Sequence, residues 1–149
     1  MTGLIERLRK MIDDHGSARG RKLDLGVHVP QTLEDCHAVG LDLPEWIKRG
    51  LVDFVSPMDS SFTNFNAAFE EFASLVSGTP CRLYPGVQPY CSSRESFGPP
   101  ATAENYRAMA HSLRHQGADG MSVYNFQKHW AGYRDGRRGS ETGYPMAFR

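Results

Sequence analysis

The residue types able to do chemistry here are the carboxylate of Asp59, the imidazole of His28, and the rings and amides of Tyr84, Gln88, Tyr90, Asn125 and Trp130. Carboxylates and imidazoles move protons, whereas aromatic faces stack on C–H surfaces and amides and phenols exchange hydrogen bonds with hydroxyls. Other constellations carry less. His111 and His115 have the i,i+4 spacing of a two-histidine metal site, but the intervening Ser112-Leu113-Arg114 lacks the glutamate of HExxH, so a solvated helix face is expected. Cys36, Cys81 and Cys91 are odd in number and form no CxxC pair, which predicts reduced thiols rather than a disulfide framework or zinc cage. No GxGxxG, P-loop or nucleophile motif occurs. Neither a cofactor nor a metal is expected.

Composition narrows the class. The chain has 149 residues, enough for about one domain, with 40% hydrophobic and 23% charged residues. Its 17 basic and 17 acidic residues cancel, which argues against nucleic acid as a partner. Apolar stretches fall short of the roughly 18 residues of a membrane span, so no membrane partner is expected. No basic n-region leads into an apolar h-region, which favours the cytoplasm slightly and leaves localisation otherwise unknown.

The elements that must position these residues alternate in type. Leu4, Ile5, Leu8, Met11 and Ile12 predict a helix from Thr2 to His15, with Thr2 as N-cap, a Glu6–Lys10 pair and Gly16 as stop. A strand follows over 23–30. Thr32-Leu33-Glu34-Asp35 is a capping-box pattern opening a short helix, and Asp42 with Pro44 opens another. The second strand is 51–57. A third helix starts near Thr63 or Asn64 with Phe65, Phe69, Phe72 and Val76 on one face. The third strand is 81–87, Thr102 caps a helix carrying Tyr106, Met109 and Leu113 inward, and the last strand is 119–126. Residues 128–149 read as an irregular, arginine- and glycine-rich tail.

Strand alternating with helix predicts an α/β fold with a parallel sheet. Strands starting near residues 23, 52, 81 and 119 recur at about the pitch of a (β/α)8 barrel, roughly 31 residues per unit. Four such units over 1–127 make a partial barrel. The rival, an open doubly wound sheet, usually carries a glycine-rich first βα turn when it binds nucleotides, and His28-Val29-Pro30-Gln31-Thr32 is not one.

The segments Leu25-Gly26-Val27-His28-Val29-Pro30, Gly50-Leu51-Val52-Asp53-Phe54-Val55-Ser56-Pro57, Cys81-Arg82-Leu83-Tyr84-Pro85-Gly86 and Gly117-Ala118-Asp119-Gly120-Met121-Ser122-Val123-Tyr124-Asn125-Phe126 resemble glycoside-hydrolase-type (β/α)8 barrels, in particular the glycosyl-hydrolase-10-like group. The resemblance covers about residues 3–127 and matches the C-terminal half of such a barrel, strands five to eight; four upstream βα units and a closing helix have no counterpart. It implies carbohydrate as substrate and acid/base hydrolysis of a glycosidic bond if the barrel is complete. In this fold the site lies at the C-terminal strand ends, which selects His28, Ser56, Met58, Asp59, Tyr84, Gln88, Tyr90, Tyr124, Asn125, Gln127 and Trp130.

Hydrolysis of this type generally needs two carboxyl groups. Asp59 is the one carboxylate at those ends, and its partner would be Glu95 or come from a missing half. Asp59 also suits a turn or helix cap. His28, Tyr84, Gln88, Tyr90, Asn125 and Trp130 are the expected sugar-binding set, although His28 also suits a hydrogen bond to a loop carbonyl and Tyr84 and Tyr124 suit the barrel interior. The alternative is a non-catalytic carbohydrate-binding or structural half-barrel that self-associates. Its partner would be a second copy or the missing barrel half, covering an open sheet edge.

Overall fold

The computed structural model describes residues 1–59, 63–88 and 101–124. Their order is α1 (Thr2–Ala18), β1 (Gly26–Val29), α2 (Leu33–Ala38), α3 (Leu43–Lys48), β2 (Phe54–Pro57), α4 (Glu70–Val76), β3 (Arg82–Leu83), β4 (Gly86–Val87), α5 (Ala103–His115) and β5 (Ser122–Val123). This is the expected α/β alternation. Strands β1, β2 and β3 form one parallel sheet in that order, and β4 and β5 form a parallel pair. β3 and β4 belong to one extended segment broken at Tyr84-Pro85, whose first half pairs with β2 and whose second half pairs with β5. Successive strands therefore neighbour one another with no reversal of order.

The register sorts side chains by face. Val27, Val55 and Leu83 align across three strands and join the helix-side core with Trp46, Ile47, Phe72, Met109 and Leu113. Alternation turns His28, Ser56 and Tyr84 to the other, concave face. Close approach fixes small residues there: a Cβ on Gly26 would fall 2.0 Å from the Phe54 ring. The rings of His28 and Tyr124, on the first and last strand segments, meet edge-on at 6.0 Å. Four flat strands would separate them by about three spacings of 4.8 Å, so the sheet is strongly curled.

Several local expectations are corrected. Thr2 does not cap α1; its hydroxyl accepts the indole N–H of Trp46 at 2.9 Å, and α1 runs past Gly16 to Ala18. Glu6 pairs with Arg49 rather than Lys10, which takes Asp14. The helix expected from Thr63 or Asn64 starts only at Glu70, as α4. Upstream of it, the Asn64 side chain accepts from the Asn66 N–H and the Gln116 side chain accepts from the Phe69 N–H, so backbone donors are satisfied without helical bonds. Phe65 is consequently 45% exposed, outside the core. The caps at Thr32, Asp42 and Thr102 form as expected, the last as a reciprocal box with Asn105.

At the N-terminal pole of the sheet, Asp53 ties four elements together. One carboxylate oxygen accepts Arg9 of α1 at 2.6 Å and the Leu25 N–H at 2.8 Å, and the other accepts Lys22 at 2.5 Å. Its own N–H donates to the Leu25 carbonyl and its carbonyl accepts from Arg82. Burial alone pushes the Asp53 carboxyl up, but the bonds from Lys22, Leu25 and Arg9 outweigh it and hold the pKa below the usual carboxylate range. A depressed folded-state pKa gives stability that is fully present above the unfolded value near 3.9 and lost as pH falls through the folded value. Asp53→Asn should lower unfolding free energy by about 2–4 kcal/mol at pH 7, because Arg9 and Lys22 lose their shared counter-charge. Denaturant titrations should show that gap closing as pH is taken below 4.

Candidate functional site

Short connections bring chemistry to the opposite, C-terminal edge. After β1 the chain turns through Pro30-Gln31-Thr32 directly into α2, so both the strand end and the first turn of α2 face the same space. After β2, Met58 and Asp59 continue to the same edge. The result is an open cleft of about 750 Å³, within the usual range of small-ligand sites. His28, Asp59 and Tyr124 line it from three strands, joined by Gln31, Asp35 and Asn64. Among the described residues no lysine or arginine lines it.

The sequence-expected residues separate into three groups. His28 and Asp59 are in the cleft. Tyr84 and Gln88 lie apart from its walls: Tyr84 packs edge-on against Phe54 at 5.6 Å and covers Gly120. Gln88 is buried and braces the segment beside Asp59. Its N–H donates to the Thr63 hydroxyl at 2.7 Å, which in turn donates to the Gln88 carbonyl, and its side-chain amide reaches the Asp59 carbonyl at 3.5 Å. Tyr90, Asn125 and Trp130, with Glu95, lie outside the described residues.

Gln31, Asp35 and Asn64 complete the site, and sequence reasoning did not select them. Asp35 and Thr32 registered as a capping box, and half of it forms: the Thr32 hydroxyl accepts the Asp35 N–H at 3.0 Å, while the Asp35 carboxylate takes the Thr32 hydroxyl at 2.6 Å rather than the Thr32 N–H. The available signal was the brevity of the β1–α2 connection, which leaves the first turn of the helix at the strand end. Asp35 thus supplies a second carboxylate to the cleft that holds Asp59.

Histidines 111 and 115 are exposed on α5. Among the described residues no group of three or more His, Cys, Asp or Glu is placed to hold a metal. No protein-family model matches the chain, and no curated protein does.

Among the described residues no cysteine lines this cleft. Cys36 and Cys81 are buried and free. Burial, reinforced by the nearby carboxylates, pushes both thiols up to about 11. Iodoacetamide at pH 7.5 should leave Cys36 and Cys81 unlabelled in the native protein and alkylate both in denaturant, as read by peptide mass spectrometry.

Proposed function

We propose that this chain is half of a (β/α)8 barrel whose cleft is directed at neutral carbohydrate, in the manner of a glycoside hydrolase. The observation that carries the reading is the meeting of His28, Asp59 and Tyr124 from separate parallel strands at their C-terminal ends, the edge where such barrels build their sites. The strand order and the curl of the sheet are consistent with an arc of a barrel. The cleft's charge selects among ligands. Among the described lining residues two carboxylates and no lysine or arginine disfavour phosphates and carboxylate ligands, whereas amide, imidazole and phenol groups suit hydroxyls. Tyr124 offers an aromatic face for sugar C–H groups.

In hydrolysis, Asp59 gives a proton to the glycosidic oxygen as the bond to the anomeric carbon breaks, and the oxygen of a water closes on that carbon. Asp35 is the second carboxylate within the cleft, and takes the proton from that water. Calorimetry with cello-, xylo- and malto-tetraose should show binding to the wild type, weakened in Tyr124→Ala. Any hydrolysis seen by chromatography should fall by about a hundredfold or more in Asp59→Asn with binding retained. No binding by any of the three sugars would sink the reading. Binding without hydrolysis would leave the cleft a recognition site alone.

A second reading, the self-associating half-barrel, is favoured by the outer flank of α1. Leu4 and Met11 are 45% and 52% exposed on the side of the helix away from Arg49, the α3 cap, with Leu8 half-buried between them. In addition, β1 has a strand partner on one edge only among the described residues. β5 is the other terminal strand, and its orientation suits pairing with β1 of a two-fold-related copy. Light scattering across a concentration series should then give twice the chain mass, reverting to the monomer in Leu4→Lys/Met11→Lys. A wild type that stays monomeric throughout counts against association.

A further inference from the structure

The Ser56 side chain is 1% exposed and its hydroxyl has no hydrogen-bond partner among the described residues. Buried hydroxyls are nearly always paired, so an orphan asks for a reason. Its position supplies one. In the ladder Ser56 lies directly beside His28, and the next strand places Tyr84 on its other side through the Tyr84 N–H to Val55 carbonyl bond. Two residues on, Met58 lines the cleft from the same face of β2, as His28 does from β1. Ser56 is thus the middle of a polar row, His28–Ser56–Tyr84, on the concave face, behind the cleft wall that His28 and Met58 form.

We propose that Ser56 is a specificity-determining residue of this cleft, its hydroxyl exchanging a hydrogen bond with one hydroxyl of a bound neutral sugar. The inference rests on the carbohydrate reading and deepens it. A serine hydroxyl both donates and accepts, which matches another hydroxyl and carries no charge preference. Access runs past Met58, whose unbranched thioether adapts readily and which lies against Gly86, where a Cβ would come within 2.7 Å of it. An alanine at position 56 would abolish the orphan group, so its retention in the unliganded fold is a stability disadvantage that a ligand contact removes.

The test pairs two readouts on Ser56→Ala and Ser56→Thr. In thermal unfolding without ligand, Ser56→Ala should melt at or above the wild-type temperature. A clear fall would mean that the hydroxyl already serves an internal group or a fixed water, and would overturn the inference. In calorimetry with cello-, xylo- and malto-tetraose, Ser56→Ala should lose about three- to tenfold in affinity for whichever sugar the wild type binds. Ser56→Thr, which keeps the hydroxyl, should recover most of it. Equal affinities for wild type and Ser56→Ala would overturn the role of Ser56 while leaving the carbohydrate reading intact. A wild type that binds none of the sugars removes both, and is distinguishable because it is read before any variant is compared.

Discussion

The cleft at one edge of the sheet is held in shape from the other, where the Asp53 carboxylate gathers Arg9, Lys22 and the Leu25 N–H into one ion-paired knot. The Arg9 and Asp53 side chains are only 10% and 16% exposed, so their pair is screened less than a surface ion pair and its loss costs more. The same device recurs three strands on. Asp119 gives its N–H to the Leu83 carbonyl and accepts the Leu83 N–H on its side chain at 2.8 Å, as Asp53 does with Leu25. In both places an aspartate at the start of a strand occupies the edge of its predecessor, bonding the first N–H before the ladder proper begins. Each pins the strand's start and thereby its register, and register decides which residues face the cleft.

Register has this power because the two faces differ so sharply. The helix-side face is aliphatic: Val27, Val55 and Leu83 align and pack on Trp46, Phe72 and Leu113. The concave face carries His28, Phe54, Ser56, Met58 and Tyr84, with glycines at 26, 86 and 120 where neighbouring side chains pass close. A one-residue slip would turn valines into the cleft and bury the polar row, so hydrophobic burial on one face and the aspartate latches at the pole enforce one alignment together.

What the sequence made legible follows from how local each signal is. The alternation of strands and helices, the caps at Thr32, Asp42 and Thr102, and the strand-end positions of His28 and Asp59 depend on neighbours within a few residues, and all stand in the structure. The rest depends on distant partners. Phe65 fits a helical stripe, yet the segment before Glu70 is held by Gln116 and by the pairing of Thr63 with Gln88, residues 20 to 50 positions away that no window could supply. Thr2 reads as a cap until Trp46 claims its hydroxyl. Asp35 was visible but read for its role in the helix alone. Its second role arises because the β1–α2 connection is too short to carry the helix away from the strand end.

That double duty bears on how such a cleft can change its chemistry. Asp35 and Thr32 are tied to one another as a cap, and Gln88 is tied to the backbone around Asp59, so these residues serve the frame and the site at once. His28 and Tyr124 meet edge-on and are exposed on the concave face, with no other ring contact among the described residues. Exposed side chains outside the packed core can be replaced at small cost to stability, generally within about 0.5 kcal/mol. The division places replaceable, exposed side chains on a scaffold braced at the opposite pole by the Asp53 knot and along the aliphatic face. A change at His28 or Tyr124 therefore alters the cleft's lining alone, whereas a change at Asp35 alters lining and helix cap together and a change at Gln88 alters the frame beside Asp59.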